Sequence, residues 1–396
     1  MKIVWLCHFS NEKVQEILKP RKKIGEMASW IFSLIDLFEG LSSIELHVVS
    51  PHEYIKSDSN FELNGIYYHF FNAHIPFLGR HWPVIFKFDY WTDFFFNKTK
   101  IRKIINRINP DLIHLHGAEN AYYSSSIIQF KDKYPILVTI QGFVSHGSSL
   151  NDPYIKKRIH YEKKIMERIS HFGYRTLEMR NDILSFNPNA KLHWHYYPTK
   201  EIVPIKTEKK YDIVFFASLS REKGIEDLLK AIWLVKPDFH NISVCIIGAV
   251  SSTYLNFLKN LAMHYGILEN IYWAGYLHFQ DEVHKMASSS KISVLPTWHD
   301  IIPGTIIESM FLKLPVVAYS VGGIPEINAD GEYISLVTKG DVNALAEKIL
   351  YLLKNPEVLK SQSERAYIRA KEMFDNSKIP NELLTAYKEV IYDFKK

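Results

Sequence analysis

The sequence predicts an α/β protein built from two doubly wound, Rossmann-like domains facing across a cleft. Three observations lead there. Short apolar runs without polar alternation recur along the chain, the pattern of strands covered on both faces in a parallel sheet. Helix-length segments separate those runs, as in repeated β-α units. At 396 residues the chain is long for one hydrophobic core and suits two domains of ordinary size. Hydrophobic residues at 47% and charged residues at 23% belong to a folded chain and exclude a disordered one. The formal net charge of +5 is mild and suits an anionic surface without requiring one.

In the N-terminal half the strand-like runs are 3–7, 44–49, 66–71, 112–115 and 136–140, with helical patterns at 26–38, 86–108, 121–130 and 154–169. A further strand, helix and strand follow Ser170 and end at Pro198. The segment TKEIVPIKTEKKYD then reads as a connection, with Pro204 and a basic run. The second half places strands at 213–217, 242–247, 271–274, 292–295 and 316–319, and helices at 224–235, 253–265, 280–288, 304–312 and 342–353. Two more helices, 356–373 and 380–394, each open on a proline, which a first turn tolerates. The expected domains are 1–203 on the acceptor side and 204–375 on the nucleotide side, with the last helix, 376–396, packing back on the first. Cys7 and Cys245 lie in different halves, so no disulfide is expected and a reducing cytoplasm fits. MKIVWLCHF reads as a first strand, and no run approaches 18 uninterrupted apolar residues.

The stretch 296–325, PTWHDIIPGTIIESMFLKLPVVAYSVGGIP, concentrates the chemistry. Pro303 and Gly304 stand where a helix begins, and its free N–H groups and dipole make an anion site. Glu308 lies five residues on, roughly 7–8 Å along the axis. With Asp300 before the helix and Glu308 within it, the layout suits an elongated ligand of ribose, diphosphate and sugar. The same spacing also fits an amphipathic helix with an incidental acid pair. Strand 213–217 runs into SLSREKG, where Lys223 and Arg221 offer a point charge and a planar fork for phosphate. A solvated turn is the alternative there.

The ordered run FFASLSREKGIEDLLKAI, VCIIG, NIYWAG and ISVLPTWHDIIPGTIIESMFLKLPVVAYSVGGIPEI resembles the C-terminal domain of family 4 retaining glycosyltransferases (glycosyl transferases group 1), which have the GT-B fold. PDLIHLHG, TIQG and Gly25-Glu26 give the N-terminal half a looser resemblance. The resemblance implies that Glu308 binds the donor ribose, Asp300 the transferred sugar and Lys223 the diphosphate. Gly304, Thr305 and Ile306 match the helix tip near phosphate and sugar, and Gly25 the loop that closes over the diphosphate. Three positions depart from the family pattern. Asp300 replaces the usual glutamate, about 1.5 Å shorter in reach. Ser218 replaces an arginine, for which Arg221 is a substitute. Gln141 replaces a histidine, which leaves His116 as the N-terminal imidazole nearest the chemistry, although such a histidine is often structural.

The expected reaction is transfer of a sugar from a nucleotide-diphosphate sugar to an acceptor hydroxyl with retention, in surface polysaccharide or glycolipid synthesis. Lysine and helix-tip N–H groups neutralise the leaving diphosphate, each worth about 3–4 kcal/mol when well placed. No metal or cofactor is expected, since the chain has neither D-x-D nor a Cys/His cluster of zinc spacing. Trp82, Phe86, Phe88, Tyr90, Trp91 and residues 94–96 precede Lys98, Lys100, Arg102, Lys103 and Arg107. That combination suits an anionic membrane surface carrying a lipid-linked acceptor, or a core helix with a solvated basic face. Lys22 and Lys23, in KPRKK, are acceptor-side candidates with Gln141. No nucleic-acid module is present. The expected location is cytoplasmic, peripheral on the inner membrane face. The alternatives are a catalytically impaired nucleotide-sugar-binding partner, motivated by Ser218, Asp300 and Gln141, and a sugar-nucleotide epimerase. A dinucleotide oxidoreductase lacks its G-x-G-x-x-G after the first strand.

Overall fold

The computed structural model describes residues 1–22, 25–73, 90–146 and 152–396. The chain divides into two compact units, Met1–Pro198 with Asn376–Lys396, and Thr199–Asp375. The crossing falls at Pro198, ahead of the expected boundary at 203. Tyr197 still belongs to the first unit, where its hydroxyl meets His116 at 3.0 Å.

The first unit runs β1 (Lys2–Leu6), α1 (Glu12–Leu18), α2 (Ser29–Phe38), β2 (Glu45–His52), β3 (Ser59–Leu63), β4 (Ile66–Asn72), α3 (Phe95–Ile108), β5 (Leu112–His116), α4 (Ala121–Ser124), β6 (Ile136–Thr139), α5 (Pro153–Arg168), β7 (His171–Tyr174), α6 (Leu177–Phe186) and β8 (Lys191–Trp194). Its sheet has the order β3-β4-β2-β1-β5-β6-β7-β8. Among the described strands of this sheet only the edge pair β3 and β4 is antiparallel. The second unit runs β9 (Tyr211–Phe216), α7 (Ile225–Val235), β10 (Val244–Ile247), α8 (Ser252–His264), β11 (Ile271–Gly275), α9 (Gln280–Ser288), β12 (Ser290–Leu295), α10 (Gly304–Phe311), β13 (Val316–Tyr319), β14 (Ser335–Val337), α11 (Val342–Lys354) and α12 (Pro356–Met373). Its parallel sheet has the order β11-β10-β9-β12-β13-β14. In chain order that is 3-2-1-4-5-6, the doubly wound arrangement, and the connections reverse between β9 and β12.

Three elements lie outside the sequence expectation. Helix α1 is too short for periodicity to reveal, and its signal was the cap: the Asn11 side chain accepts from the Val14 N–H at 2.9 Å. Strand β3 offers only Phe61 and Leu63 as apolar residues, and β14 has three residues in all. The helix expected from 26 starts at Ser29 because Met27 exchanges backbone hydrogen bonds with Ser10 and Ala28 takes a left-handed φ of 54°. That expected over 86–108 is Phe95–Ile108 among the described residues, and its first part, 86–89, falls outside them. Asp93 and Phe94, at φ 56° and 57°, separate it from the turn at Tyr90–Thr92.

The core of the first unit is closed by α13 (Ile379–Phe394), the final helix. Leu383, Tyr387 and Val390 join Trp5, Phe38, Val48 and Leu137 in one apolar cluster. At its centre the Trp5 indole N–H donates to the Tyr387 hydroxyl at 2.8 Å, and His114 Nδ1 meets the same hydroxyl at 2.8 Å. Burial depresses the His114 pKa, so the ring stays neutral. Cys7 and Cys245 are buried free thiols in separate units. Tyr387→Phe strips the hydroxyl from two buried partners and is expected to cost the first unit about 1–3 kcal/mol. Hydrogen exchange of the β1 and β5 amides in urea measures it. Unchanged protection would show that the hydroxyl is not a structural centre.

Candidate active site

The loops that leave β9 and β12 are locked together at the reversal point of the second sheet. After β9, Ser220 accepts from the Lys223 N–H at 3.3 Å and caps the turn Arg221–Lys223. Gly224 follows at φ 76°, and a Cβ there would lie 1.8 Å from the Pro296 carbonyl oxygen. Only glycine permits that approach. The Glu222 carbonyl accepts from the Thr297 hydroxyl at 3.2 Å and the Trp298 N–H at 2.8 Å. So fixed, the Lys223 ammonium pairs with the Asp300 carboxylate. The other Asp300 oxygen accepts from the Ile301 N–H at 3.1 Å.

The Gly-Gly turn after β13 supports Asp300 from the far side. Gly322 has φ 57°, with its would-be Cβ 1.7 Å from the Asp300 carbonyl oxygen, and the Gly323 N–H donates to Ile301 at 2.7 Å. Pro303 is the N-cap of α10 and not its first helical residue. The Ile306 and Ile307 N–H groups both reach the Pro303 carbonyl, at 3.0 and 3.4 Å. The N–H groups of Gly304 and Thr305, on an exposed and a half-buried residue, have no acceptor inside the helix. Ser309 ties α10 to β12 through the Ser293 hydroxyl at 2.9 Å.

Glu308 stands at the second turn of α10, and its carboxylate is held from α9. Gln280 Nε2 donates to it at 3.0 Å, and His284 Nε2 lies 3.3 Å from the same oxygen. Sequence reasoning missed Gln280 and His284. Their signal was the i, i+4 spacing in QDEVH, which sets both on one helix face.

Several candidate residues stand elsewhere. Arg221 does not join Lys223: its side chain is 84% exposed and its nearest carboxylate is Glu226 at 3.8 Å, because the turn points it to solvent. The Ile306 side chain is 1% exposed and packs inward, so it does not line a ligand site. Ser218 and Gly25 are exposed, and Lys22 stands 5.8 Å above the Tyr54 ring. Lys23 lies outside the described residues. His116, the N-terminal imidazole nearest the expected chemistry, sits in the core. It is 0% exposed, Nδ1 meets Tyr197, and burial holds the ring neutral. Gln141 is partly accessible and shares the Tyr197 hydroxyl. Among the described residues, His146, Glu178 and Asp182 bring three ligand-type atoms within 4.8 Å of one another, in the first unit and away from the Lys223 loop in sequence.

The basic aromatic stretch is also divided. Phe94 is fully buried, whereas Trp91 and Phe95 are 70% and 61% exposed. Lys98 bonds Asp93 at 2.7 Å, and Lys100 reaches the Asn72 carbonyl at 2.5 Å, so neither is free for an outside surface. Trp82, Phe86 and Phe88 lie outside the described residues. No helix among the described residues is long and apolar enough to cross a membrane.

Residues 199–369 match the family model described as glycosyl transferases group 1. The chain is 22% identical over 317 residues to N-acetyl-alpha-D-glucosaminyl L-malate synthase of Bacillus anthracis, covering 75% of this chain and 79% of that protein. It is 24% identical over 197 residues to the capsular polysaccharide biosynthesis glycosyltransferase CapM of Staphylococcus aureus, covering 46% and 49%. Among solved structures it is similar to sucrose-phosphate synthase of Thermosynechococcus elongatus, with a TM-score of 0.74, 16% identity, and 99% and 100% of the chains covered. It is also similar to HepE of Anabaena, solved in complex with UDP and glucose, with a TM-score of 0.68, 13% identity, and 98% and 100% covered. The two sheets are thus the Rossmann-like units of the GT-B fold, and the segment that matches the glycosyl transferases group 1 model, 199–369, carries Lys223, Asp300 and Glu308.

Proposed function

We propose that the protein transfers a sugar from a nucleotide-diphosphate sugar to an acceptor hydroxyl with retention of configuration. The observation that carries this reading is the set Lys223, Asp300, Glu308 and the Gly304–Thr305 amides, gathered at one sheet reversal. Glu308, oriented by Gln280 and His284, accepts from the ribose hydroxyls. The diphosphate meets the α10 amides and Lys223. Asp300 accepts from a hydroxyl of the transferred sugar once the diphosphate has drawn Lys223 away.

The chemistry follows from charge. As the bond from the anomeric carbon to the diphosphate oxygen breaks, negative charge grows on the phosphate and the sugar becomes oxocarbenium-like. The two amides are held by the helix, and Lys223 turns from Asp300 to the diphosphate, so protein donors meet the charge as it grows. The acceptor oxygen forms its bond on the face the diphosphate leaves, and its proton passes to a phosphate oxygen of the leaving group. In this reading the charge is neutralised by protein donors and the reaction is independent of a metal.

The acceptor is a growing surface polysaccharide or a glycolipid, met at the cytoplasmic face of a membrane. Supporting this is the exposed pair Trp91 and Phe95. The spacing of Phe95, Arg102, Lys103 and Asn106 puts them on one face of α3, and the last three are exposed. The double variant Trp91→Ala/Phe95→Ala is expected to release the protein from phosphatidylglycerol vesicles in sedimentation. Equal binding by the variant would remove this surface from the account.

A screen of UDP-, GDP- and ADP-sugars with labelled donor tests the central reading. Lys223→Ala is expected to lower kcat about 10²–10³-fold. Glu308→Gln, which discards a charged acceptor, is expected to raise the donor KM roughly ten- to a hundredfold. His284→Ala acts in the same direction but less. Transfer rates within a few-fold of wild type in the first two variants would refute the assignment, and an inverted anomeric configuration in the product would refute retention.

A further inference from the structure

A second polar cluster lies at the carboxyl edge of the N-terminal sheet. Read along β4-β2-β1-β5-β6-β7-β8, that sheet reverses between β1 and β5, the place where open α/β sheets bind ligands. The loop leaving β5 carries Gly117 and Glu119. Gly117 has φ 88°, and a Cβ there would lie 2.6 Å from both carboxylate oxygens of Glu119. Glycine therefore lets that carboxylate fold back over the strand end.

Two guanidinium groups fix the backbone on either side. Arg158 Nε donates to the Glu119 carbonyl at 2.7 Å and its Nη2 to the Asn120 side chain at 3.3 Å. Arg175 Nη2 donates to the Gln141 carbonyl at 2.8 Å. Between them, in the amide orientation that satisfies both of its ends, the Gln141 nitrogen donates to Glu119 Oε1 at 3.2 Å. Its oxygen accepts from the Tyr197 hydroxyl and the Trp30 indole N–H, both at 3.1 Å. With the Tyr197 proton directed to Gln141, the 3.0 Å contact from His116 has Nδ1–H donating to the Tyr197 oxygen. An amide has two acceptor sites and two N–H groups. Among the described residues three of the four are used, and one N–H of the partly accessible Gln141 is left over. The second Glu119 oxygen, Oε2, is buried with no hydrogen-bond partner among the described residues.

We propose that Glu119 is a positioning residue for an acceptor site on this edge: its carboxylate anchors the Gln141 amide so that the remaining N–H meets a hydroxyl oxygen of the acceptor. The proposal rests on the glycosyl-transfer reading, in which the residues assigned to the donor belong to the other unit. Burial pushes the Glu119 pKa up to about 7, with Glu162 raising it and Arg158 and Arg175 lowering it. The groups facing it are Arg158 and Glu162 on α5, Arg175 after β7, and Tyr122 and Tyr123 on α4. Behind Gln141 stand the neutral His116 and Tyr197. Above about pH 7 the carboxylate accepts from Gln141. Below it the acid proton competes for the amide oxygen, and the anchored orientation is lost.

The test compares wild type with Glu119→Gln and Gln141→Ala. Wild-type kcat/KM for the acceptor is expected to rise about tenfold from pH 6 to pH 8, the ratio of ionised fractions for a pKa of about 7. Glu119→Gln keeps an oxygen facing Gln141 without a titrating proton. It is expected to stay within about threefold of the wild-type maximum and to show no rise. Gln141→Ala is expected to raise the acceptor KM about tenfold and leave the donor KM unchanged. A readout independent of turnover is the Gln141 side-chain amide signal in glutamine-labelled protein, assigned by its loss in Gln141→Ala. That signal is expected to titrate near pH 7 in wild type and to be flat in Glu119→Gln. A wild-type amide that does not titrate, or a pH rise that survives in Glu119→Gln, overturns the proposal. A wild type that transfers no sugar counts against the functional reading, while the amide titration still decides the role of Glu119.

Discussion

The ion pair between Lys223 and Asp300 is the constraint from which the candidate site follows. Two opposite charges on different loops meet only because the backbone on each side is packed closer than a side chain would allow. Gly224 lies against the Pro296 carbonyl, and Gly322 lies against that of Asp300. Both approaches use left-handed backbone, which glycine adopts without strain. The hydrogen bonds from Thr297 and Trp298 to Glu222 then tie the β9 loop to the β12 loop. The backbone of Lys223 is thereby fixed at the strand end, with its ammonium resting on Asp300. Without a diphosphate, Asp300 is its counter-ion.

The same logic of supported carboxylates runs through both units. Glu308 is held by an i, i+4 pair on a neighbouring helix. Glu119 is folded over a glycine and joined to Gln141. Buried polar groups are costly unless paired. The first unit meets that cost with shared hydroxyls: Tyr387 serves Trp5 and His114, and Tyr197 serves His116 and Gln141. His116, at the end of a central strand, belongs to this core network.

Much of the fold was legible in the sequence because covered parallel strands are apolar with little polar interruption, as in β1, β10 and β13. What escaped was short or half-buried: α1, marked only by Asn11, and the edge strands β3 and β14. In the candidate site, Pro303, Gly304, Glu308 and Lys223 were legible because a helix start and a strand end are local features. Gln280, His284 and Glu119 were not, since each matters through a partner more than twenty residues away in the chain. Arg221 was misplaced because a two-residue offset within a tight turn reverses the direction of a side chain. No sequence pattern records that offset.

In the proposed donor site, Lys223 is shared between Asp300 and a diphosphate. Calorimetric titration of wild type and Asp300→Asn, with the nucleoside diphosphate and with the matching nucleotide sugar, measures this directly. If the ion pair is a donor-site device, Asp300→Asn frees Lys223 and binds the bare diphosphate several-fold more tightly, while losing the added affinity that the sugar brings in wild type. Equal weakening toward both ligands, or no change toward either, would contradict the account and leave the pair as a structural tie between two loops.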